Sequence, residues 1–294
     1  MGNALPDVCV VVLNWNGREH LPDLLPSLLR AKKAYGGACR IVVLDNPGPA
    51  DDLAWVRENF PEIEGVRAPK NDYLFSYNWF LPQVSERIVV LLNNDLQVDE
   101  HFLKPLVRPF QDTSIFSTSA KSLSWDGQEV TSAAFRACSH HGWYYWDNFE
   151  SDKTVETLFA VGGFMALDRL KFLELGGFDR LFFPAYGEDV DLCIRAKNQG
   201  WESIYVPESV VLHKEGASWK NDGSSKRYLI STKTHLLVQW RHFGGMRNEF
   251  SRTLYLIHEI LRGRKNLYFI KAWFAAKRQW IKRRRKCEIY LNIK

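Results

Sequence analysis

The sequence predicts an α/β protein: a mostly parallel sheet flanked by helices, followed by a helical C-terminal extension. Two observations predict the sheet. The apolar runs VCVVVL (8–13), RIVVLD (40–45) and RIVVLL (87–92) are unbroken rather than alternating, as strands buried on both faces require. Stretches with helical spacing lie between them, the order that builds parallel strands through crossover helices. A third observation marks the extension: from about Lys226 the pattern is helical to the end, and the charge turns basic. The expected division is 1–225 for the α/β domain and 226–294 for the extension.

The elements follow in order. After the first strand, REHLPDLLPSLLRA (18–31) places Leu21, Leu24, Leu25, Leu28 and Leu29 on one helical face. The second strand is followed by a helix over ADDLAWVRENF (50–60), a short third strand over EGVRA (64–68) and a helical stretch from about Tyr73. The fourth strand closes the regular part. Residues 113–160 are read as strands and loops forming a lobe. TLFAVGGFMALD (157–168) reads as a strand broken by Gly162 and Gly163, and SIYVP (203–207) as a last short strand.

Composition narrows the class. Of 294 residues, 46% are apolar and 25% charged, the profile of a soluble globular protein with a sizeable core. The five cysteines (Cys9, Cys39, Cys138, Cys193 and Cys287) are odd in number and contain no CxxC pair. Neither a disulfide framework nor a zinc site is supported, and a reducing compartment is expected. The start MGNALPDVCVVVLNW lacks a basic leader, and Pro6 stands where a myristoylation signal wants Ser or Thr. No apolar run reaches the roughly 20 residues that span a bilayer. A cytoplasmic protein is expected.

The chemistry-bearing residues cluster at strand ends. Ligands of open α/β sheets bind beyond the carboxyl ends of the strands. Here those ends carry Asn14 and Asn16, Asp45 and Asn46, and Asn93, Asn94 and Asp95, a row along which a nucleotide would lie. A carboxylate beside amides suits a hard divalent cation that also holds phosphates, Mg²⁺ or Mn²⁺. Asn93–Asp95 also reads as a turn or helix cap, although Asp99, just before EHFLKPL, is the better cap. In YGEDVDLCIRAKNQG, Glu188, Asp189 and Asp191 open a helix after Tyr186 and Gly187. The helix dipole accounts for one or two such acids; a carboxylate fixed there can also serve as a general base. His213 follows an apolar stretch and reads either as a packed residue or as a metal ligand.

Taken together, VVVLNWNG, IVVLDN, KNDYLFSYN, VVLLNNDLQVD, VGGFMALDR, LGGFDRLFFPAYGEDVDLCIRAKNQGW and VPESVVLHKEGAS, in this order over roughly residues 8 to 218, resemble glycosyltransferase family 2. This family holds inverting enzymes with a GT-A fold, whose nucleotide-binding half is Rossmann-like; the closest likeness is to its bacterial rhamnosyltransferase-like branch. The resemblance implies a role for each matching position. Asp95 would meet the metal and diphosphate, with Asn94 beside it, and His213 would help bind the metal, Mn²⁺ or Mg²⁺. Asp189 would be the catalytic base, with Glu188 beside it near the acceptor. Asp45 would contact the base or ribose, and Asn14, Asn16 and Asn71 would line the nucleotide pocket. Gly162 and Gly163 would let backbone approach the donor sugar. Tyr186 and Trp143 are placed on the acceptor side; the stretch Trp143 to Trp146 would stack on acceptor sugars or pack as a lid, and both readings stay open. Three positions depart from the family's glycine-rich segment, where Asp72, Ser76 and Phe80 replace glycines.

The implied activity is transfer of a sugar from a dTDP- or UDP-linked donor to a hydroxyl of a glycan or lipid-linked acceptor, in bacterial surface polysaccharide synthesis. The rivals are a nucleotide-sugar-binding protein without turnover, a nucleotidyltransferase, and a basic nucleic-acid-binding protein. LNWNGREH is a poor phosphate loop, and no RRM, KH or zinc-finger pattern occurs, so no nucleic acid partner is expected. The net charge of +5 concentrates near the end, where KRRRK (282–286) follows Lys271, Lys277 and Arg278. Phe269, Trp273, Ala276 and Trp280 share one helical face there. This basic helix would either hold the protein on the inner face of the cell membrane or pack that face on the domain.

Overall fold

The computed structural model describes residues 5–214, 223–262 and 267–291; residues 215–218 of the His213 segment and the side chains of 284–286 in the basic run lie outside the described residues. The chain opens with β1 (Val8–Asn14), α1 (Leu21–Tyr35), β2 (Cys39–Asp45), α2 (Asp52–Asn59), β3 (Glu64–Arg67), α3 (Ser76–Phe80) and β4 (Ile88–Asn93), the expected alternation. A short β5 (Leu96–Val98), α4 (Leu103–Val107), β6 (Ile115–Ser124) and β7 (Val130–Ser132) follow. The lobe is a separate hairpin, β8 (Ala134–His140) with β9 (Trp143–Phe149). Next come β10 (Val155–Glu156), β11 (Phe164–Asp168), α5 (Arg169–Glu174), α6 (Glu188–Lys197) and β12 (Glu202–His213). The extension consists of α7 (Gly223–His242), α8 (Met246–Leu261) and α9 (Leu267–Leu291).

Among the described residues the main sheet runs β10-β12-β6-β11-β4-β1-β2-β3, with β5 on β12 and β7 on β6. β4, β1, β2 and β3 are mutually parallel, and β11 enters antiparallel between β4 and β6. The two-sided burial of the strands follows from their alternation of faces. Val8, Val10, Val12, Val43 and Val90 point to one core with the leucines of α1. Cys9, Val11, Val42, Leu44, Val89 and Leu91 point to the other, with Phe172, Phe182 and Leu192. Neither side of Val8–Val12, Ile41–Leu44 or Ile88–Leu92 meets water, so no polar residue interrupts those runs.

Three expectations are revised. Asp99 does not cap α4, which begins four residues later without a side-chain cap; its carboxylate instead closes a turn on the His101 N–H at 2.8 Å. Residues 157–163 are not strand, because Gly162 and Gly163 turn the chain before β11 begins. The last strand does not stop at Pro207. It continues to His213 through a register shift between Val206 and Val210, which accommodates a proline that cannot donate to the ladder.

The extension shares the second core. Leu236, Leu237 and Val238 of α7 and Ala276 of α9 are buried in the same cluster as Val11 and Val42. Trp240 meets Trp273 and Trp280 ring to ring. Phe269, Trp273, Ala276 and Trp280 therefore face inward, onto α7 and the α/β body. No described helix is long and apolar enough to cross a membrane.

Candidate active site

The parallel register sets Asn14 beside Asp45 and Leu13 beside Asn93, so three strand ends share one edge. There the polar side chains bind one another. Asn14 is fully buried, and its amide donates to Asp45 at 2.6 Å and Asp52 at 2.9 Å. Its carbonyl oxygen accepts from Asn94 at 2.8 Å. Gly17 sits inside this network: a Cβ there would stand 1.8 Å from Asn94 Nδ2 and 2.5 Å from Asn14 Oδ1. Asn14 thus ties the strand ends together from within, while Asn16 stands exposed with a positive φ of 46°. Asp45 pairs with Arg67 at 3.0 Å; burial pushes its carboxyl up from its ordinary pKa, against the pull of Asn14 and Arg67. Asn71 is half-buried and accepts from the Tyr73 N–H at 3.1 Å.

The next layer joins three distant segments. The Asn93 N–H donates to the Gly163 carbonyl at 2.8 Å. A Cβ on Gly163 would stand 2.8 Å from Asn93 Nδ2. The Gly162 N–H donates to Asp189 Oδ2 at 3.2 Å, while Oδ1 accepts from the Val190 N–H at 2.8 Å. The strand end, the glycine pair and the start of α6 therefore form one wall. Gly187, in the left-handed region at φ 80°, begins the helix and turns Glu188 and Asp189 inward. Glu188 is buried, and its Oε2 has no hydrogen-bond partner among the described residues. Burial, reinforced by Asp189 and Asp191, pushes the Glu188 carboxyl well up; burial likewise raises Asp189, against the backbone donors of Gly162 and Val190.

Asp95 lies at the turn between β4 and β5. Its carboxylate Oδ1 is buried without a hydrogen-bond donor, and His213 Nε2 faces it at 3.5 Å. The continuation of β12 makes this possible: His213 pairs with Leu96, and the Lys214 N–H donates to the Asp95 carbonyl at 2.9 Å. A lone carboxylate oxygen opposite an imidazole nitrogen fits a hard divalent cation that takes its remaining ligands from a diphosphate. Among the described residues no group of three His, Cys, Asp or Glu side chains converges, so the protein would supply two ligands.

The residues expected on the acceptor side separate. Tyr186 stays next to the acidic helix, with a positive φ of 72°; burial pushes its phenol up, and Arg227 opposes this. Trp143 lies elsewhere, lining a groove of about 560 Å³ between the hairpin, α7, α8 and α9, together with Tyr145, Tyr228, His235, Tyr255 and Phe269. Neither Asp189 nor Asp95 lines that groove. Tyr144 and Trp146 pack on Phe243, and Gln239 bonds the Tyr144 N–H and carbonyl at 3.0 and 2.6 Å, so this part of the aromatic stretch is held against α7 and its C-terminal end.

Sequence reasoning missed several residues. Asp52 accepts from both Asn14 and the Gly17 N–H (3.1 Å) and anchors the network; in ADDLAW it reads as an ordinary surface acid of a helix. Asp191 is fully buried against Arg195 at 2.8 Å, Arg241 at 3.0 Å and His242 at 2.7 Å. The residues that replace glycines are all absorbed: Asp72 pairs with Arg180, Ser76 donates to Asn46, and Phe80 enters the core. The one available signal was that Asp72 and Arg180 are a charge pair in two motifs of the same site.

A mixed sheet of this order, with one half parallel and helices on both faces, is the GT-A fold. Solved structures share it. GalNAc-T7 with UDP, GalNAc and Mn²⁺ matches with a TM-score of 0.63 at 17% identity, over 83% of this chain and 49% of that one. A mannosyltransferase of Pyrobaculum calidifontis with GDP-Man and Mn²⁺ matches with a TM-score of 0.56 at 17% identity, over 93% and 76%. The pattern of the family described as Glycosyltransferase like family 2 matches residues 6–227, and the chain belongs to that family. One relative is the N-acetylglucosaminyl-diphospho-decaprenol L-rhamnosyltransferase of Mycobacterium tuberculosis, 37% identical over 93 residues, 32% of this chain and 30% of that protein. Another is the O-antigen biosynthesis protein RfbC of Myxococcus xanthus, 28% identical over 236 residues, 74% of this chain and 18% of that protein. The chain thus spans about a third or less of these relatives' length.

Proposed function

We propose that the protein is an inverting glycosyltransferase that moves a sugar from a dTDP- or UDP-linked donor to a hydroxyl of a glycan or lipid-linked acceptor in surface polysaccharide synthesis. The observation that carries this is the wall made by Asn93, Gly162, Gly163 and Asp189, which fixes the half-buried Asp189 carboxylate beside the sheet edge through the Gly162 and Val190 N–H groups. The donor lies along that edge, its base or ribose at Asp45 and Asn71, and Asn14 and Asn94 hold the floor. Asp189 takes the proton of the acceptor hydroxyl as that oxygen attacks the anomeric carbon. Glu188, its carboxyl pushed up by burial, orients the acceptor with Tyr186. Asp95 and His213 would hold Mn²⁺ or Mg²⁺, which when bound offsets the charge developing on the diphosphate leaving group. The relatives that act on a decaprenyl-linked substrate and in O-antigen synthesis support an acceptor at the membrane, and a cytoplasmic protein held peripherally on the inner face. The test is nucleotide release from a panel of nucleotide sugars with acceptor, with and without Mn²⁺ or Mg²⁺. Release that needs acceptor, metal and Asp189 supports the reading; donor binding with no release under any pairing leaves a binding protein.

A further inference from the structure

We infer that the outward faces of α8 and α9 form one membrane-contact surface for an anionic phospholipid leaflet. This rests on the peripheral attachment proposed above and names the surface that makes it. The aromatic face of α9 is spent on packing against α7, so a bilayer meets the opposite face. That face carries Lys271, Phe274, Arg278 and Ile281 at spacings of three and four, with Phe274 63% and Ile281 42% exposed. Lys277 and Lys282 flank it, also exposed. On α8, Phe250, Leu254 and Ile257 are 68%, 53% and 50% exposed at i, i+4 and i+7, a continuous apolar stripe. The start of the α8 stripe borders the inner side of α9, where Phe250 and Thr253 line a groove of about 470 Å³ with Trp240 and Trp280, so the two exposed faces flank one seam. Exposed apolar side chains elsewhere, such as Trp15, Trp79 and Leu170, stand singly on different elements; such isolated exposure needs no partner.

Charge selects the occupant. No acid occurs between residues 266 and 286. The acids of α8 are engaged, Glu249 by Arg252 at 2.9 Å and Glu259 by His258 at 3.3 Å. Apolar side chains set among lysines and arginines suit the headgroup boundary: rings and aliphatic chains enter the acyl region, while the cations stay with the phosphates. Each cation near an anionic leaflet strengthens binding roughly fivefold. A second copy of the chain fits less well, because a two-fold contact would set this cationic face against itself.

The test uses the full chain with vesicles of phosphatidylcholine alone or mixed with phosphatidylglycerol. Wild type should sediment with the mixed vesicles at low salt and release at high salt. The variant Phe250→Ser/Leu254→Ser/Ile257→Ser, its fold checked by circular dichroism, should bind about tenfold or more weakly. Lys271→Glu/Arg278→Glu should bind weakly and lose the salt dependence. Leu254→Trp should gain a fluorescence component, relative to wild type, that lipids brominated in the upper acyl chain quench. If the folded triple variant sediments as wild type does, this surface is not the contact, while peripheral attachment itself stands. If wild type sediments with neither vesicle, the attachment fails and this inference with it. If wild type is a dimer that the triple variant dissolves, and Leu254→Trp is not quenched, the stripe is an interface between copies and the inference is overturned.

Discussion

Asp189 is held by two opposed effects. Burial raises its proton affinity, and the Gly162 and Val190 N–H groups lower it without cancelling the rise. A base so placed accepts a proton more readily than an ordinary carboxylate does. Asp189→Asn keeps the shape and loses the basicity, so transfer should fall by ~10²–10⁴-fold while donor affinity, read by calorimetry, stays near that of wild type. The acid limb of kcat/KM should lie above the ordinary carboxylate range, because activity rises with pH as Asp189 deprotonates. Stability runs the other way. A carboxyl whose folded pKa is raised contributes fully below its unfolded value and loses that contribution as pH rises through the folded one. Glu188→Gln should therefore raise the melting temperature near neutrality, by a few degrees, and leave it unchanged in acid. At the far end of the site, Asp95→Ala should weaken metal-dependent donor binding sharply, and His213→Ala more mildly. Equal donor affinity with and without chelator in wild type would refute both. Asp189 and Asp95 could be singled out as candidates because their residue type and their place at an element's end point to chemistry. Asp52 and Asp191 were not, because their partners stand on other elements and sequence spacing carries no sign of them.

At the scale of elements, the loops make the site and the strands only aim it. The glycine pair shows how differently two neighbours can be constrained. A Cβ on Gly162 would meet Asp189 Cβ at 3.6 Å, an ordinary contact, whereas one on Gly163 would stand 2.8 Å from the Asn93 amide. Gly162→Ala should leave donor affinity within about twofold, and Gly163→Ala should cost tenfold or more by displacing Asn93; strain of this kind costs about 1–3 kcal/mol in packed interiors. Equal effects in fluorescence titration would show that Asn93 has room to yield. β1, β2 and β4 were legible because burial on both faces leaves an uninterrupted apolar signature. β12 was legible only in its first half. Pro207 and Glu208 look like a stop, and the strand passes them only because β6 holds it on both sides of the register shift. That continuation is what delivers His213 to Asp95.

For the whole molecule, the extension is a brace on the acidic helix. Arg241 of α7 reaches two carboxylates of the α/β body, Asp179 at 2.7 Å and Asp191 at 3.0 Å, and Arg283 of α9 joins it on Asp179 at 2.8 Å. Asp191 stands two residues from Asp189 on the same helix, so the brace ends beside the proposed base. These contacts link residues 50 to 104 positions apart, and the sequence displayed their charges without displaying their pairing. Burial raises the Asp179 carboxyl, but the hydrogen bonds from Arg283, the Leu181 N–H and Arg241 outweigh it and hold it well below the usual range. A group depressed in this way contributes stability above its unfolded pKa and loses it as pH falls through the folded one. Arg241→Ala removes one of these donors and leaves Asp191 with Arg195 and His242 alone. Breaking buried pairs costs about 3–5 kcal/mol when a charge is left without a partner; with partners remaining on both carboxylates, about 2 kcal/mol is expected. The variant's melting temperature should fall by several degrees at neutral pH. The gap to wild type should narrow as pH drops below the carboxylate range, because protonated Asp179 gains little from Arg241 in either protein. Calorimetric melts across that range check it: a gap that stays constant with pH would mean that Arg241 acts through packing rather than through its ion pairs.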